Sequence, residues 1–164
     1  MRRSLSVAAV AGTMVIALAS CRAPAETTSA GVTSLDSDFD RGTLLIDSDD
    51  GLQHKLDIYL ATSFEQQRRG LMFVRKMPEN TGMLFVYDET AFHSMWMKNT
   101  YISLDMVFAR ADGTVSSVIH GTQPLSLDSQ ASVEPVNYVL ELSAGTARRL
   151  QIGPRSRIFW DRKN

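Results

Sequence analysis

The spacing of apolar residues along the chain predicts a domain built mainly from short β-strands. Leu56, Ile58 and Leu60 alternate with polar residues, a pattern that is typical of a strand with one buried face. Further short apolar runs, separated by turn residues, predict strands over 43–46, 83–87, 92–97, 104–109, 114–119, 138–142 and 156–160. Their number and spacing predict a mainly β fold, either a β-sandwich or an open barrel with short helical insertions.

Two local signals add detail to this fold. Ser63 and Gln66 have the spacing of a helix capping box and Gly70 is a typical stop, so a short helix is predicted over 64–69. The turn sequence 111–113 should join the strands 104–109 and 114–119 as a hairpin. A long polar loop is expected over 121–135 and a turn or two of helix over 145–150. Strands and helices do not alternate, so nothing here indicates a parallel sheet.

The first twenty residues have the layout of a secretory signal peptide. Arg2 and Arg3 precede a run, 4–19, that is small, mostly apolar and uncharged. The sequence Leu18-Ala19-Ser20-Cys21 resembles the bacterial lipobox, in which the chain is cut before a cysteine that then carries lipid. The alternative is an ordinary signal peptide with an incidental cysteine. We favour the lipoprotein because the single cysteine of the chain falls at the required place.

A lipid anchor makes the membrane an expected partner and divides the chain into three parts. Residues 1–20 are the signal peptide, 21–42 the lipidated Cys21 with a flexible tether, and 43–164 a single domain. Arg22 follows the cysteine, where Asp would retain an enterobacterial lipoprotein at the inner membrane. We therefore expect a bacterial cell-envelope protein, at the outer membrane and facing the periplasm if the source has two membranes.

Composition narrows the function classes. The chain has 164 residues and a formal net charge of −1. One domain is the expectation for this length. A nucleic-acid partner gains no support from a chain without a basic excess. The single cysteine excludes an intrachain disulfide and a zinc site of several cysteines.

Ordered sequence blocks between residues 61 and 153 point to a known family. They include Arg69-Gly70-Leu71-Met72, Gly82-Met83-Leu84-Phe85, Trp96-Met97-Lys98-Asn99-Thr100 and Tyr138-Val139-Leu140-Glu141, and the ordered set is more specific than any single block. In this order they resemble domain-of-unknown-function family 192 of bacteria and archaea. The resemblance implies a compact, mostly β fold that is often exported, with no established reaction. One departure is Met95, because the family usually has an aromatic residue before the Trp-Met pair.

A polar run beside an aromatic residue is the best candidate for a binding site. An aromatic wall next to hydrogen-bonding groups suits a small polar ligand, and nearby charged residues would add to the same cleft. The candidate binding residues are Arg69, Trp96, Lys98, Asn99, Thr100 and Asp105. The structural alternative places Asn99 and Thr100 in a turn, Trp96 in the core, and Asp105 in an ion pair with Lys98 or Arg69.

These residues favour a non-enzymatic module that binds a small ligand, a glycan or a partner protein. The alternative is an envelope hydrolase in which Asp105 and Glu141 act as a carboxylate pair. No nucleophile elbow, phosphate-binding loop, dinucleotide fingerprint or His-Glu-x-x-His motif is present. Lipidation of Cys21 would also remove it as a nucleophile. No catalytic residue, cofactor or metal site is therefore assigned.

A minor alternative is Cu(I) binding. On a strand, His93, Met95 and Met97 would point to one face. Imidazole and two thioethers form a soft ligand set that suits Cu(I). The simpler interpretation is that the methionines fill gaps in the core, with His93 near its rim.

Overall fold

The computed structural model describes residues 33–161, and β-strands dominate it, which confirms the predicted fold class. The elements in chain order are α1 (Thr33–Asp38), β1 (Asp40–Asp47), β2 (Gln53–Ala61), α2 (Phe64–Arg69), β3 (Thr81–Ala91), β4 (Ser94–Met95), β5 (Leu104–Ala109), β6 (Val115–Ile119), β7 (Gln130–Ala131), β8 (Val136–Ser143), α3 (Thr146–Arg149) and β9 (Arg157–Trp160). No helix among these residues is long and apolar enough to cross a membrane.

Seven of the strands form one sheet in the order β6-β5-β8-β3-β2-β1-β9. Most neighbours are antiparallel, and the parallel pair β2–β3 is joined through α2. The sequence does not predict this parallel pair, because a single short helix leaves no repeating strand–helix pattern. Strand β8 lies in the middle of the sheet, between β3 and β5.

The sheet curls until its two edge strands approach each other. Thr114, just before β6, forms a bridge with Arg157 of β9. The Val115 amide donates to the Ser156 carbonyl at 2.9 Å, and the Ile158 amide donates to the Gly113 carbonyl at 2.9 Å. The fold is therefore a half-barrel, which corresponds to the open-barrel form of the prediction.

Each face of the curled sheet carries its own hydrophobic cluster. The concave-face cluster draws residues from both edges and the centre of the sheet: Leu44, Ile46, Leu56, Ile58, Leu84, Val86, Val107, Ala109, Val115, Leu140, Leu142, Ala147, Leu150, Ile152 and Ile158. The convex-face cluster joins the other face to the segments that cover it: Leu35, Phe39, Tyr59, Ala61, Leu71, Val74, Met77, Met83, Phe85, Met95, Met97, Leu104, Met106, Phe108, Val136 and Val139.

The predicted tether over 21–42 is wrong for residues 33–42, which form α1 and the start of β1. Leu35 and Phe39 are buried in the convex-face cluster, and the Phe39 amide donates to the Leu35 carbonyl at 3.0 Å. Two apolar residues four positions apart are enough to fix this short helix, yet too few to stand out in a polar segment. The described domain thus begins at least ten residues before Thr43. Residues 1–32, with the predicted signal peptide and Cys21, lie outside the described residues.

The helix and hairpin predictions are confirmed. Ser63 and Gln66 form both bonds of the capping box, and Gly70 ends α2 with a φ of 43°. Strands β5 and β6 pair antiparallel across the turn at Gly113. The predicted strand 92–97 is reduced to the two residues of β4, because its hydrogen-bonding partner, β7, is also only two residues long.

Gly113 should be essential where the sheet edges meet. Its φ is +85°, and a Cβ atom at this position would overlap the Ile158 carbonyl oxygen. Gly51 has a similar φ of +83° with open space around it, so it is a matched control. We expect Gly51→Ala to lower the free energy of unfolding by about 1 kcal/mol through backbone strain. Gly113→Ala should lose about 1–3 kcal/mol more through the overlap.

Urea unfolding of both variants measures this difference. Equal losses for Gly51→Ala and Gly113→Ala would contradict the close approach of β6 and β9.

Candidate functional site

Most of the candidate binding residues meet at a cleft on the convex side of the sheet, which we call the outer cleft. Its volume is about 610 Å³ and its lining residues are Glu65, Arg68, Arg69, Met72, Trp96, Lys98 and Asn99. A narrower space of about 90 Å³, the inner cavity, shares five of these residues. It extends to residues of the sheet and of the covering segments: Gln67, Gly70, Phe85, Tyr87, Ser94, Met95, Thr100 and Glu141.

A tight turn and a short helix bring cations to the mouth of the outer cleft. The Thr100 amide donates to the Met97 carbonyl at 3.0 Å, which closes a turn with Lys98 exposed at its corner. The Lys98 ammonium lies 5.2 Å from the centroid of the Trp96 ring, within cation–π range. Trp96 is 49% exposed, so it forms a wall of the cleft and does not fill the core. Helix α2 supplies Arg68, which forms a loose ion pair with Glu65 at 3.9 Å.

Arg69 lines the cleft but also holds its wall together. Its guanidinium donates to the backbone carbonyls of Met72 and, at 3.3 Å, of Gly70, and lies 3.7 Å from the Asp38 carboxylate. These contacts fix the loop after α2 against α1. Because its Nη1 group bonds to these two carbonyls and its Nη2 group faces Asp38, Arg69 is better suited to positioning the loop than to binding a ligand.

Asn99 and Thr100 have the structural roles that the alternative interpretation gave them, and both also border the site. Asn99 has a φ of 56°, a left-handed conformation that Asn tolerates better than most residues. Its carbonyl accepts from the Phe73 amide at 2.8 Å, which docks the loop after α2 onto the turn. Thr100 is buried, donates to the Lys98 carbonyl at 3.3 Å and lines the inner cavity.

The prediction that Asp105 belongs to this site is wrong. Asp105 is fully buried and accepts hydrogen bonds from the Gly121 and Ala147 amides, each at 2.9 Å. His120 is its ionisable neighbour, at 3.7 Å, so it pairs with neither Lys98 nor Arg69. Along β5 it points to the side opposite its neighbours Leu104 and Met106, which belong to the convex-face cluster. Asp105 therefore anchors the loop at 121 and the start of α3.

The alternation of side chains along the strands also rules out the predicted pair of Asp105 and Glu141. Glu141 of β8 lies opposite Met106 of β5 and Met83 of β3, and directly opposed residues share a face of the sheet. Glu141 therefore faces the convex-face cluster, whereas Asp105 points to the opposite face. The two carboxylates have the sheet between them and cannot act on one bond.

Glu141 is the chemically unusual residue of the site. It is 4% exposed and lines the inner cavity. No described residue forms a hydrogen bond or an ion pair with its carboxyl group, whereas Asp105 has two amide donors. Burial alone raises the pKa of Glu141 from 4.5 to about 8, because a carboxylate loses its hydration there without compensation. At neutral pH the group is mostly protonated.

Tyr87 shares the inner cavity with Glu141. Burial first, and then the nearby Glu141 charge, raise the pKa of Tyr87 to about 12, so its hydroxyl stays protonated. That hydroxyl donates to the Met95 sulfur at 3.6 Å. On its other side the Tyr87 ring stacks on His93, with ring centroids 3.5 Å apart.

The residues of the Cu(I) hypothesis all lie near this cluster. The Met95 sulfur accepts from Tyr87, and the Met97 sulfur accepts from the Thr122 hydroxyl at 3.2 Å. Burial lowers the pKa of His93, and its Nε2 is buried without a hydrogen-bond partner among the described residues. In residues 33–161, no group of three or more His, Cys, Asp or Glu side chains is arranged to hold a metal ion. Both sulfurs are used in packing, and Cu(I) binding stays a prediction.

A second cleft of about 550 Å³ opens on another part of the surface. Its lining residues are Asp40, Arg41, Leu60, Thr62, Asp88, Trp160 and Asp161. None of them is a buried polar side chain. The first cleft, which ends at a buried carboxyl group, is therefore the stronger candidate for specific chemistry.

Sequence reasoning assigned no binding role to three residues of the site. Arg68 was visible beside Arg69, but its position on the cleft depends on the orientation of α2. Gln67 and Tyr87 carry no motif, and their place at the inner cavity follows from tertiary packing. Glu141 was considered as a further charge in the cleft and as the partner of Asp105, but its burial without a partner could not be foreseen.

Fold and site together define the class: a curled β-sheet domain with a cationic cleft that leads to a buried carboxyl group. The chain belongs to domain-of-unknown-function family 192, DUF192, whose model is described as "Uncharacterized ACR" and matches residues 45–160. No curated protein matches the chain.

Two solved structures share the fold. One is a "putative transcription regulator" from Sinorhizobium meliloti 1021, with a TM-score of 0.73 and 40% sequence identity, covering 74% of this chain and 95% of that one. The other is a protein of unknown function from Novosphingobium aromaticivorans DSM 12444. It has a TM-score of 0.69 and 29% identity, covering 72% of this chain and 84% of that one.

The pKa of Glu141 predicts a specific pH dependence of stability. The folded-state pKa is raised, so the folded protein holds a proton that the unfolded chain releases above pH 4.5. Relative to Glu141→Gln, the parent should therefore lose stability as pH rises from 4.5 to about 8, and no further above that. Within that range, the free energy of unfolding should fall by about 1.4 kcal/mol for each step of one in pH.

Urea unfolding at several pH values between 4 and 9 measures this, with Glu79→Gln, at an exposed position, as the control. The Glu79→Gln curve should run parallel to that of the parent. If the Glu141→Gln curve does so too, Glu141 does not have a raised pKa.

Proposed function

We propose that this protein is a lipid-anchored binding module of the bacterial cell envelope, and that its outer cleft holds a small polar ligand through an anionic group. The observation that carries the proposal is the cleft itself. Arg68 and Lys98 lie at its mouth, and the half-exposed Trp96 forms one wall. Its volume of about 610 Å³ is within the usual range for small-molecule sites.

The charges at the mouth favour an anion. Lys98 has no carboxylate partner among the described residues, and its ammonium rests on the Trp96 ring. Arg68 is only loosely paired with Glu65, and its side chain is 66% exposed. An incoming carboxylate or phosphate can therefore recruit both cations without breaking a buried contact.

The proposed anchor rests on the lipobox. Leu18-Ala19-Ser20-Cys21 follows an uncharged apolar run, and Cys21 is the single cysteine of the chain. Each buried methylene of an acyl chain contributes about 0.8 kcal/mol of membrane affinity, so several chains would hold the domain at the membrane. This anchor would place the cleft in the envelope.

Two other functions have less support. The Sinorhizobium protein is described as a "putative transcription regulator". A regulator that acted by binding DNA would need a basic surface, and this chain has a net charge of −1. The hydrolase alternative depended on Asp105 and Glu141 acting together, and they face opposite sides of the sheet.

We predict that the full-length protein, purified in detergent, binds butyrate or inorganic phosphate in an isothermal titration. The double variant Arg68→Ala/Lys98→Ala should bind the same anion at least 10-fold more weakly, because each charge-assisted bond contributes about 1.5–3 kcal/mol. Lys55→Ala is the control, since Lys55 is an exposed lysine of β2 outside both cavities.

Equal binding by the parent and the double variant would move the anion site elsewhere. If the parent binds neither anion, this function is wrong.

We predict that Cys21→Ser abolishes lipid attachment. Expressed in a bacterium with labelled palmitate, the parent should carry label and sediment with membranes, because acylation needs the thiol. The Cys21→Ser variant should be unlabelled, retain the signal peptide and give a precursor of higher mass. A labelled variant, or an unlabelled parent, would contradict the lipid anchor.

A further inference from the structure

Three polar side chains that line the inner cavity, Gln67, Tyr87 and Thr100, donate their hydrogens within the protein. The Gln67 side-chain nitrogen donates to the Val86 carbonyl at 2.8 Å and to the Ala61 carbonyl at 3.5 Å. The Tyr87 hydroxyl donates to the Met95 sulfur, and the Thr100 hydroxyl donates to the Lys98 carbonyl. The donor hydrogens of all three side chains are therefore in use, and their oxygen atoms remain as acceptors.

Glu141 adds a carboxyl group at the base of the cavity, which becomes negatively charged only when it loses its proton. The group is 96% buried and no described residue bonds to it, although buried carboxyl groups in folded proteins are normally paired. It also lines the cavity and thus faces the space that a ligand would enter. A group with donor hydrogens and a positive charge would satisfy the ionised form of Glu141.

The site thus offers groups for both signs of charge. Arg68 and Lys98 line the outer cleft and the inner cavity, whereas Glu141 lines the inner cavity alone. The inner cavity, at about 90 Å³, has room for about three water molecules, which is the size of an ammonium group with one or two carbons. The wider outer cleft accommodates the rest of the molecule.

We propose that the ligand is a small zwitterion of the amino-acid class, whose primary ammonium group binds Glu141 and whose carboxylate binds Arg68 and Lys98. This inference rests on the proposed function, because the carboxylate of the zwitterion would bind at the proposed anion site. A primary ammonium supplies three donors, which match the surrounding acceptors.

Binding of an ammonium group requires the ionised form of Glu141. Since the empty site holds Glu141 mostly protonated at pH 7, binding releases its proton to the buffer. The affinity for a zwitterion should therefore rise between pH 7 and about 8. A ligand that accepts a hydrogen bond from protonated Glu141 would show the opposite dependence.

The charged and titratable groups around Glu141 do not compete with this signal. Tyr87 faces it from β3 with a pKa of about 12, and His93, stacked on Tyr87, has a lowered pKa and is neutral in this range. Three cations, Arg68, Arg69 and Lys98, line the same space.

The test is a calorimetric titration of the full-length protein with five probes. Glycine, β-alanine and 4-aminobutyrate vary the distance between ammonium and carboxylate, whereas butylamine and butyrate each carry one of the two charges. We expect at least one amino acid to bind 10-fold or more tightly than butyrate. Glu141→Gln should remove that gain and leave butyrate binding unchanged, and it should also abolish the proton release.

The variants separate this inference from the proposed function. If butyrate binds through Arg68 and Lys98 but no amino acid binds more tightly, the zwitterion proposal is wrong and the anion site stands. The same holds if Glu141→Gln still binds an amino acid more tightly than butyrate. If no probe binds the parent, both are wrong. Tight binding of butylamine with no gain from a carboxylate would also overturn the zwitterion, because it would indicate a cation site.

Discussion

The structure is organised around an unpaired carboxyl group on its central strand. Strand β8 is bonded on both sides, and its register places Glu141 between Met83 and Met106 on the convex face. A shift of one residue would move every side chain of β8 to the other face and expose both clusters, so this register is strongly held. The carboxyl group therefore cannot leave the apolar layer, and it avoids the cost of a buried charge by keeping its proton.

The segments that cover the convex face supply the other residues of the site. The Arg69 side chain bonds to backbone carbonyls of the loop after α2 and pairs with Asp38. The Phe73 amide of that loop donates to the Asn99 carbonyl, which holds the turn that contains Lys98. The cations at the mouth and the carboxyl group at the base thus come from separate elements. Glu141 belongs to the sheet, whereas Arg68 and Lys98 belong to the segments that cover it.

How far the sequence could predict the molecule depended on whether a signal was local. The capping box at Ser63 and the turn at Gly113 involve neighbouring residues, and both were correct. Asp105 was misplaced because it lies in a continuous apolar run, 104–109, in which alternation cannot say which side a residue faces. Only pairing with β8 separates Asp105 from Glu141. Helix α1 was missed for a related reason. Leu35 and Phe39 pack on a face of the sheet that is formed by residues distant in sequence, so the local sequence does not show that they are buried.

The most direct test of this account is the pKa of the Glu141 carboxyl group itself. Carbon NMR of the protein labelled at the glutamate side-chain carboxyl carbon, with Glu141→Gln to assign the signal, would follow its titration. The account predicts a midpoint near 8, well above the other glutamates in the spectrum. A midpoint near 4.5 would mean that the group is hydrated or paired in solution, and would contradict the buried, unpaired carboxyl group on which the site depends.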